Sequence, residues 1–458
     1  MTDQLADRLA RVLAPHLGPV TVEGLRALTG GASRSTWAFE AVTKTGETAE
    51  RHALILRTGP PDEIHASMEL EAHAQRAARQ TGAPVPTVLV ADNSAAALGN
   101  PYLICNEIAG ETVVRRIERQ LDDTGREHLL RQCAQALAAI HRADPGGIPL
   151  STEDQLAACR NQLDAMPDTT AVFEWAFRWL TAHRPPAAQA QLVHGDFRMG
   201  NLIVDGSELA AVLDWELVHL GDSCEDLAWF CLRAWRFGAP PDRAAGGLGD
   251  IDSFLAAYAH AAGTTVDPSR FAWWLVLGTL RWGIICRYQA QRHLSGQARS
   301  VELATIGRRV SETEWDLLRL LDGTPGDDTR SAATGGGTGP STPRVTGRRP
   351  TAAELVAAVA EFLDTSFANR DADAATASQV RFHSRVAANA LRIVERELSD
   401  TSPDAPAQAL AGLDFTDEAT LAAAVRAGDL DDRAEALTAC LYALVRHRLS
   451  IDHPGYDD

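Results

Sequence analysis

The chain has 458 residues, which predicts two or more domains because single cores rarely grow beyond about 250–300 residues. Its hydrophobic content of 45% is that of a globular protein, and its net charge of −18 argues against sequence-independent nucleic-acid binding. We predict no membrane span, because the most apolar stretch, 271–286, is short and contains Arg281. Seven cysteines without CxxC spacing favour reduced thiols and a cytoplasmic location.

Strand patterns dominate the first quarter of the chain, and helical patterns dominate from Leu121 onward. The chain opens on an amphipathic helix over 1–18, and a second helix pattern covers 66–80. The predicted strands are 20–30, 35–43, 51–58, 84–92 and 101–110. A small β-rich region therefore precedes a larger helical one, which predicts an α+β fold.

Residues 323–349 are rich in Gly, Thr, Pro and Ser and show no hydrophobic period, which is typical of a flexible linker. They divide the chain into a body, 1–322, and a C-terminal region, 350–458. Thr351 and Glu354 form a capping-box pattern at the start of that region, for which we predict three to five packed helices. It contains no acid–base constellation, so we expect the chemistry in the body.

The segment LVHGDFRMGN, residues 192–201, concentrates polar groups between two apolar runs. Asp196 and Asn201 are five residues apart, and Asp214 follows at the end of the next apolar run. Phosphoryl transfer needs such groups: one carboxylate accepts the proton of a hydroxyl, while an amide oxygen and a second carboxylate hold Mg²⁺. Arg198 could neutralise charge on the transferring phosphoryl group.

Upstream residues supply groups that could hold a nucleotide. Gly30 and Gly31 lie in a turn between two strands, where backbone amides can approach phosphates closely. Arg57 ends the third strand, where a cation would meet the phosphates, and Glu71 on the following helix could orient it. The single lysine, Lys44, lies in a hairpin turn, so arginine is the cation available.

Four stretches, GGASRSTW, HGDFRMGN, LDWE and GDSCEDLAWF, resemble the aminoglycoside phosphotransferase family of small-molecule kinases over roughly residues 20–320. LILRTGPP and HGDFRMGN resemble more closely the kinase domains associated with acyl-CoA dehydrogenases. The resemblance implies a bilobal protein-kinase-like fold, with an N-lobe of about 1–108 and a C-lobe of about 109–322. A separate all-helical domain, 350–458, would follow.

The motif match also implies roles for individual residues. Asp196 would be the catalytic base, with Arg198 beside it, and Asn201 and Asp214 would be the Mg²⁺ ligands. ATP would lie between the lobes. The residues implied in binding it are Gly30, Gly31, Ser33, Arg57, Glu71 and, at the hinge, Glu107 and Ile108. Arg57 departs from the lysine usual in kinase-like folds.

Several neighbours of the motif have structural interpretations. We expect His194 to hydrogen-bond the loop backbone, and Asp226 to cap a helix or tie a loop. Trp229 and Trp235 are expected in the core. Glu216 and Asp222 are weaker candidates for substrate contact.

The reaction predicted is ATP-dependent phosphorylation of a hydroxyl. Only about eleven residues separate Asp214 from the next predicted helix, which leaves no room for a peptide-docking segment and favours a small-molecule acceptor. The resemblance to the dehydrogenase-associated kinases implies a hydroxyacyl compound or its CoA thioester as the first choice, with an acyl-CoA dehydrogenase-like enzyme as a partner. The alternatives are an aminoglycoside or other antibiotic as acceptor, and an inactive kinase-fold module that binds a metabolic enzyme.

Overall fold

The computed structural model describes residues 2–28, 34–45, 48–60, 65–322, 349–368 and 374–458. By contacts they form two compact units. Unit 1 is Met1–Thr152 with Pro185–Leu275, and unit 2 is Glu153–Arg184 with Val276–Asp458. Residues 323–348 of the predicted linker lie outside the described residues, so a domain boundary at 323–349 stays a prediction.

The secondary structure confirms the predicted α+β class, with a sheet first and helices after it. The strands are β1 (Val20–Leu28), β2 (Ser35–Thr45), β3 (Thr48–Thr58), β4 (Val88–Asp92), β5 (Tyr102–Asn106), β6 (Gln191–Val193), β7 (Leu202–Asp205), β8 (Glu208–Val212) and β9 (His219–Gly221). The helices are α1 (Thr2–Leu17), α2 (Met68–Gln80), α3 (Val114–Gln120), α4 (Asp123–His141), α5 (Gln155–Asp164), α6 (Ala171–Ala182), α7 (Cys224–Phe230), α8 (Ile251–Ala262), α9 (Pro268–Leu294), α10 (Val301–Ile306), α11 (Val310–Leu321), α12 (Ala352–Ala368), α13 (Ala374–Leu398), α14 (Ala405–Ala411), α15 (Glu418–Ala427) and α16 (Ala434–Asp452).

Unit 1 begins with an antiparallel sheet of strand order β1-β2-β3-β5-β4. Alternation along β3 sends Leu54 and Leu56 into a core shared with α1. Ile55 lies on the opposite face and packs into the core that includes Met68 of α2. Arg57, two residues after Ile55, lies on the same face of β3. Its guanidinium therefore meets α2 and not the apolar core under α1.

The helical part of unit 1 surrounds α4, whose residues from Leu129 to Ile140 are largely buried. Two short hairpin-like pairs, β6 with β9 and β7 with β8, lie beside this core. Their connecting loops contain the polar motif 192–201 and Asp214. The apolar runs that flank the motif thus fix a polar loop to a rigid core.

Unit 2 joins the C-terminal helices to α5, α6, α10 and α11 through apolar and charged contacts. Arg448 of α16 is nearly buried and donates to both carboxylate oxygens of Glu418 at 2.9 and 3.0 Å. Its Nε lies 3.4 Å from the fully buried Glu314 of α11. Burial raises the pKa of Glu314 above its ordinary value, although the charge of Arg448 opposes this shift.

Smaller features complete the fold. Thr351 and Glu354 exchange the two hydrogen bonds of the predicted capping box, at 2.7 and 3.3 Å. All seven cysteines are buried and free. Within the residues described, every helix is too short or too polar to cross a membrane.

Arg448→Met is expected to destabilise unit 2 by about 3–5 kcal/mol, because it removes the cation beside the fully buried Glu314 and the partly buried Glu418. Urea denaturation followed by tryptophan fluorescence would measure the loss. Arg433→Met, which removes a half-exposed partner of Asp414, is the control and should cost less than about 1 kcal/mol. Equal effects of the two substitutions would contradict the prediction.

Candidate active site

The backbone of the polar loop is anchored by one buried carboxylate, that of Asp226 in α7. Asp226 accepts the backbone N–H of His194 at 2.7 Å and that of Gly195 at 2.9 Å. The Nε2 atom of His141 lies 3.2 Å away. Burial opposes the charged form, but these hydrogen bonds and nearby histidines lower the pKa of Asp226 overall. Asp226 therefore ties the loop, as one of its two predicted structural roles requires.

His194 also has the structural position expected from the sequence. It is fully buried, its Nε2 lies 2.9 Å from the Leu213 carbonyl, and its Nδ1 accepts the Asp196 N–H at 3.2 Å. Burial lowers its pKa, which favours the neutral ring with the proton on Nε2. Gly195 between them has φ = 83°, and a Cβ there would lie 2.5 Å from the Leu217 carbonyl oxygen. Only glycine fits that position.

Three side chains donate hydrogen bonds to the Asp196 carboxylate. Asn201 Nδ2 contacts Oδ2 at 2.6 Å, and Arg198 Nε lies 3.0 and 3.2 Å from the two oxygens. Trp229 Nε1 donates to Oδ1 at 2.8 Å. Donors of this kind fix the orientation of a carboxylate.

Asp214 is brought to the same loop by the backbone. The Leu213 N–H donates to the Asn201 carbonyl at 2.8 Å, directly before Asp214. Asp214 itself has φ = 64°, a left-handed conformation that is uncommon for a residue with a side chain. The bend turns the chain out of the apolar run at this point, so that the Asp214 carboxylate is one-third exposed.

Arg57 bridges two carboxylates. Its Nη1 donates to Glu71 at 2.9 Å, and its Nη2 donates to Asp214 at 2.6 Å. Glu71 is fully buried and is also paired with Arg34, a residue of the GGASRSTW stretch. Glu216 lies 3.8 Å from both guanidinium groups. Two arginines and three acids thus form one cluster, which joins the sheet, α2 and the segment after β8.

The predicted hinge follows β5. The Glu107 N–H donates to the Ala53 carbonyl at 2.9 Å and so continues the sheet, while the Glu107 side chain is exposed. In the described part of the chain no hydrogen bond is found for the Ile108 N–H. Gly110 lets this segment approach β7, because a Cβ there would lie 2.5 Å from Ile203.

The structure therefore brings Arg198 and Asn201 into contact with Asp196, and it joins Arg57 to both Glu71 and Asp214. Gly30, Gly31 and Ser33 lie outside the described residues. The roles of all these residues stay predictions.

The comparison with family models decides the class of protein. A model described as the phosphotransferase enzyme family matches residues 24–274, more than half of the chain. The chain belongs to this family. It is a kinase-like phosphotransferase. A second model, a domain of unknown function (DUF6285), matches residues 374–456.

Individual relatives of this phosphotransferase are distant. Acyl-CoA dehydrogenase family member 10 of Mus musculus is 27% identical over 329 residues, which cover 64% of this chain and 30% of that protein. Acyl-CoA dehydrogenase family member 11 of Gallus gallus is 28% identical over 229 residues, covering 46% and 28%. The chain spans less than a third of the length of these two relatives.

One solved structure shows the fold. A Ralstonia eutropha protein assigned as an aminoglycoside phosphotransferase superposes with a TM-score of 0.56 at 21% identity. The match covers 67% of this chain and 95% of that one. The predicted kinase-like fold, with a β-rich N-lobe and a larger helical C-lobe, is confirmed.

Sequence reasoning missed two contacts of this phosphotransferase site. Arg34 shares Glu71 with Arg57, although only its place in the GGASRSTW stretch hinted at a role. Trp229 was expected in the core, and it is buried, yet its indole N–H reaches Asp196. The apolar pattern of α7 gave no sign of that contact.

Asp226→Asn is expected to destabilise the protein by about 3 kcal/mol at neutral pH, because an amide cannot accept both loop N–H groups as a carboxylate does. A lowered pKa means that the charged group stabilises the fold above its unfolded pKa of about 3.9 and that this contribution is lost as the pH falls further. The difference in the free energy of unfolding between wild type and variant should therefore be largest above about pH 4 and should decrease below it.

Thermal and urea unfolding over a pH series would measure that difference. Asp205→Asn, at the exposed end of β7, is the matched control and should leave stability unchanged. A pH-independent difference would show that the charge of Asp226 does not contribute.

Proposed function

We propose that the protein transfers the γ-phosphate of ATP to a hydroxyl group of a small molecule. The observation that carries this is the shared geometry of Asp196 and Asn201, joined by a 2.6 Å hydrogen bond, with the segment leading to Asp214 bonded to Asn201. Asp196 accepts the proton of the acceptor hydroxyl. Its orientation is held by three donors among the described residues, so the base is positioned before the acceptor arrives.

The donor set fits a magnesium ion. Because Asn201 Nδ2 is bonded to Asp196, its Oδ1 points to the other side of the amide. Asp214 gives one oxygen to Arg57 and keeps the second. Mg²⁺ prefers hard oxygen ligands and retains several waters, so two protein ligands suffice. When bound, it would neutralise charge on the triphosphate. Among the described residues no group of three or more His, Cys, Asp or Glu side chains could hold a metal.

The nucleotide is proposed to lie between the sheet and the polar loop. Arg57 meets the phosphates from β3, with Glu71 holding one edge of its guanidinium. The Glu107 carbonyl and the Ile108 N–H are proposed to meet the adenine. Gly30, Gly31 and Ser33 are proposed to cover the phosphates.

The acceptor is proposed to be a small molecule. Nine residues separate Asp214 from Cys224, where α7 begins, and three of them form β9 against β6. A peptide-docking segment has no room in this interval.

The charges near the loop favour an anionic or neutral acceptor over a cationic aminoglycoside. A polycation would need free acids, but Asp222 is paired with Arg270 at 2.6 Å and Glu225 lies 3.0 Å from His219. Glu216 belongs to the arginine cluster. A hydroxyacyl compound or its CoA thioester is our choice, and the acyl-CoA dehydrogenase names of the relatives support it. An acyl-CoA dehydrogenase-like partner and a cytoplasmic location stay predictions.

Asp196→Asn is expected to lower the rate of transfer by about 10²–10⁴-fold, because it removes the proton acceptor, while leaving the affinity for ATP nearly unchanged. Calorimetric titration with a non-hydrolysable ATP analogue and Mg²⁺ would give the affinity, and radiolabelled phosphate transfer would give the rate. Asp205→Asn is the control for a nearby carboxylate outside the site. If the variant kept most of its transfer rate, the assignment of Asp196 as the base would be wrong.

An acceptor panel would separate the candidate functions. We expect transfer to hydroxyacyl-CoA thioesters or free hydroxy acids, and none to aminoglycosides, because the nearby acids are already paired. We also expect Mg²⁺-dependent thermal stabilisation by ATP. Transfer to aminoglycosides would support the antibiotic-resistance alternative. If ATP gives no stabilisation and no transfer is detected, the result would support an inactive binding module.

A further inference from the structure

Trp229 of α7 is a buried tryptophan with a polar contact to the proposed base. Its side chain is 3% exposed, and its indole N–H donates to Asp196 Oδ1 at 2.8 Å. A buried indole N–H generally needs an acceptor, so the contact could serve the fold alone. The group that accepts this hydrogen bond, however, is the carboxylate of the proposed base, so the contact also acts on the proposed reaction site.

The contact belongs to a larger arrangement of two indoles. Trp235 lies with its ring centroid 5.5 Å from that of Trp229, at an interplanar angle of 54°. The guanidinium carbon of Arg198 lies over the Trp235 ring at 4.9 Å, which is a cation–π distance. Arg198 in turn donates to Asp196. One indole therefore holds the carboxylate and the other holds the arginine paired with it.

Helix α7 holds both the backbone of the polar loop and the side chain of Asp196. Asp226 fixes the backbone at His194 and Gly195, and Trp229, three residues later, fixes the side chain of Asp196. Residues three apart on a helix share a face, so one face of α7 determines where the loop lies and how its carboxylate is turned.

We propose that Trp229 is a positioning residue for Asp196: its indole N–H holds the carboxylate turned toward the acceptor hydroxyl, while Trp235 holds Arg198. This inference rests on the proposed function. No atom of Trp229 takes part in the transfer itself. The proton of the hydroxyl passes to Asp196, and the phosphoryl group passes from ATP to the hydroxyl oxygen.

The first test measures the contact without any turnover. In protein labelled with ¹⁵N-tryptophan, the Trp229 indole signal is identified by its loss in Trp229→Phe. It should move when Asp196 is replaced by Asn. Trp273, equally buried at 3% exposure, supplies the control signal and should not move. A Trp229 signal that stays in place on this replacement would overturn the proposal.

The second test separates positioning from packing. Trp229→Phe keeps the ring and removes the N–H. The rate of Mg²⁺-dependent ADP formation, with and without the acceptor panel, should fall about 10- to 100-fold, as expected for one lost hydrogen bond to a charge, while the KM for ATP stays constant.

Trp273→Phe is the matched control and should leave the rate unchanged. A Trp229→Phe protein with a lower melting temperature but an unchanged kcat would assign Trp229 to packing alone and overturn the proposal. Wild-type protein that turns over no ATP would instead refute the proposed function, and the indole signal would still decide whether Trp229 holds Asp196.

Discussion

The buried carboxylate of Asp226 is the interaction on which the site depends. Two backbone N–H groups point at it, so the loop at His194 and Gly195 can occupy only one position. The His194 ring then reaches the Leu213 carbonyl, one residue before Asp214. Because each link is buried and directional, the polar segments before β7 and after β8 are held as one rigid body.

The sequence predicted the elements and the polar loop well because both are local patterns. Alternation and helical period identify strands and helices, and the five-residue spacing of Asp196 and Asn201 is short enough for a single loop to bring them together. Contacts between segments that are distant in the sequence were harder to predict. Arg34 meets Glu71 across 37 positions, and Trp229 meets Asp196 across 33. A hydrophobic pattern states which face is buried, but not which polar groups meet there.

The compact units illustrate the same limit on a larger scale. A linker-like composition at 323–349 predicts a boundary along the chain, but it does not state which helices pack together. Glu418 of α15 reaches the N-terminus of α6, 247 residues away, and Arg448 reaches Glu314 of α11. In the sequence these charged residues look like surface positions. Burial of an ion pair depends on tertiary neighbours that a single sequence does not reveal.

Arginine at position 57 has a geometric reason in this site. Its planar fork donates to Glu71 with one nitrogen and to Asp214 with the other, so that a single cation joins α2 to the proposed metal ligand. A lysine, as a point charge, would reach these two carboxylates less well together. The cluster also holds three acids, Glu71 included, against two arginines. The acids beside Asp214 suit a divalent cation, and we propose that Mg²⁺ arrives there with ATP, whose phosphates compete with Asp214 for the guanidinium of Arg57.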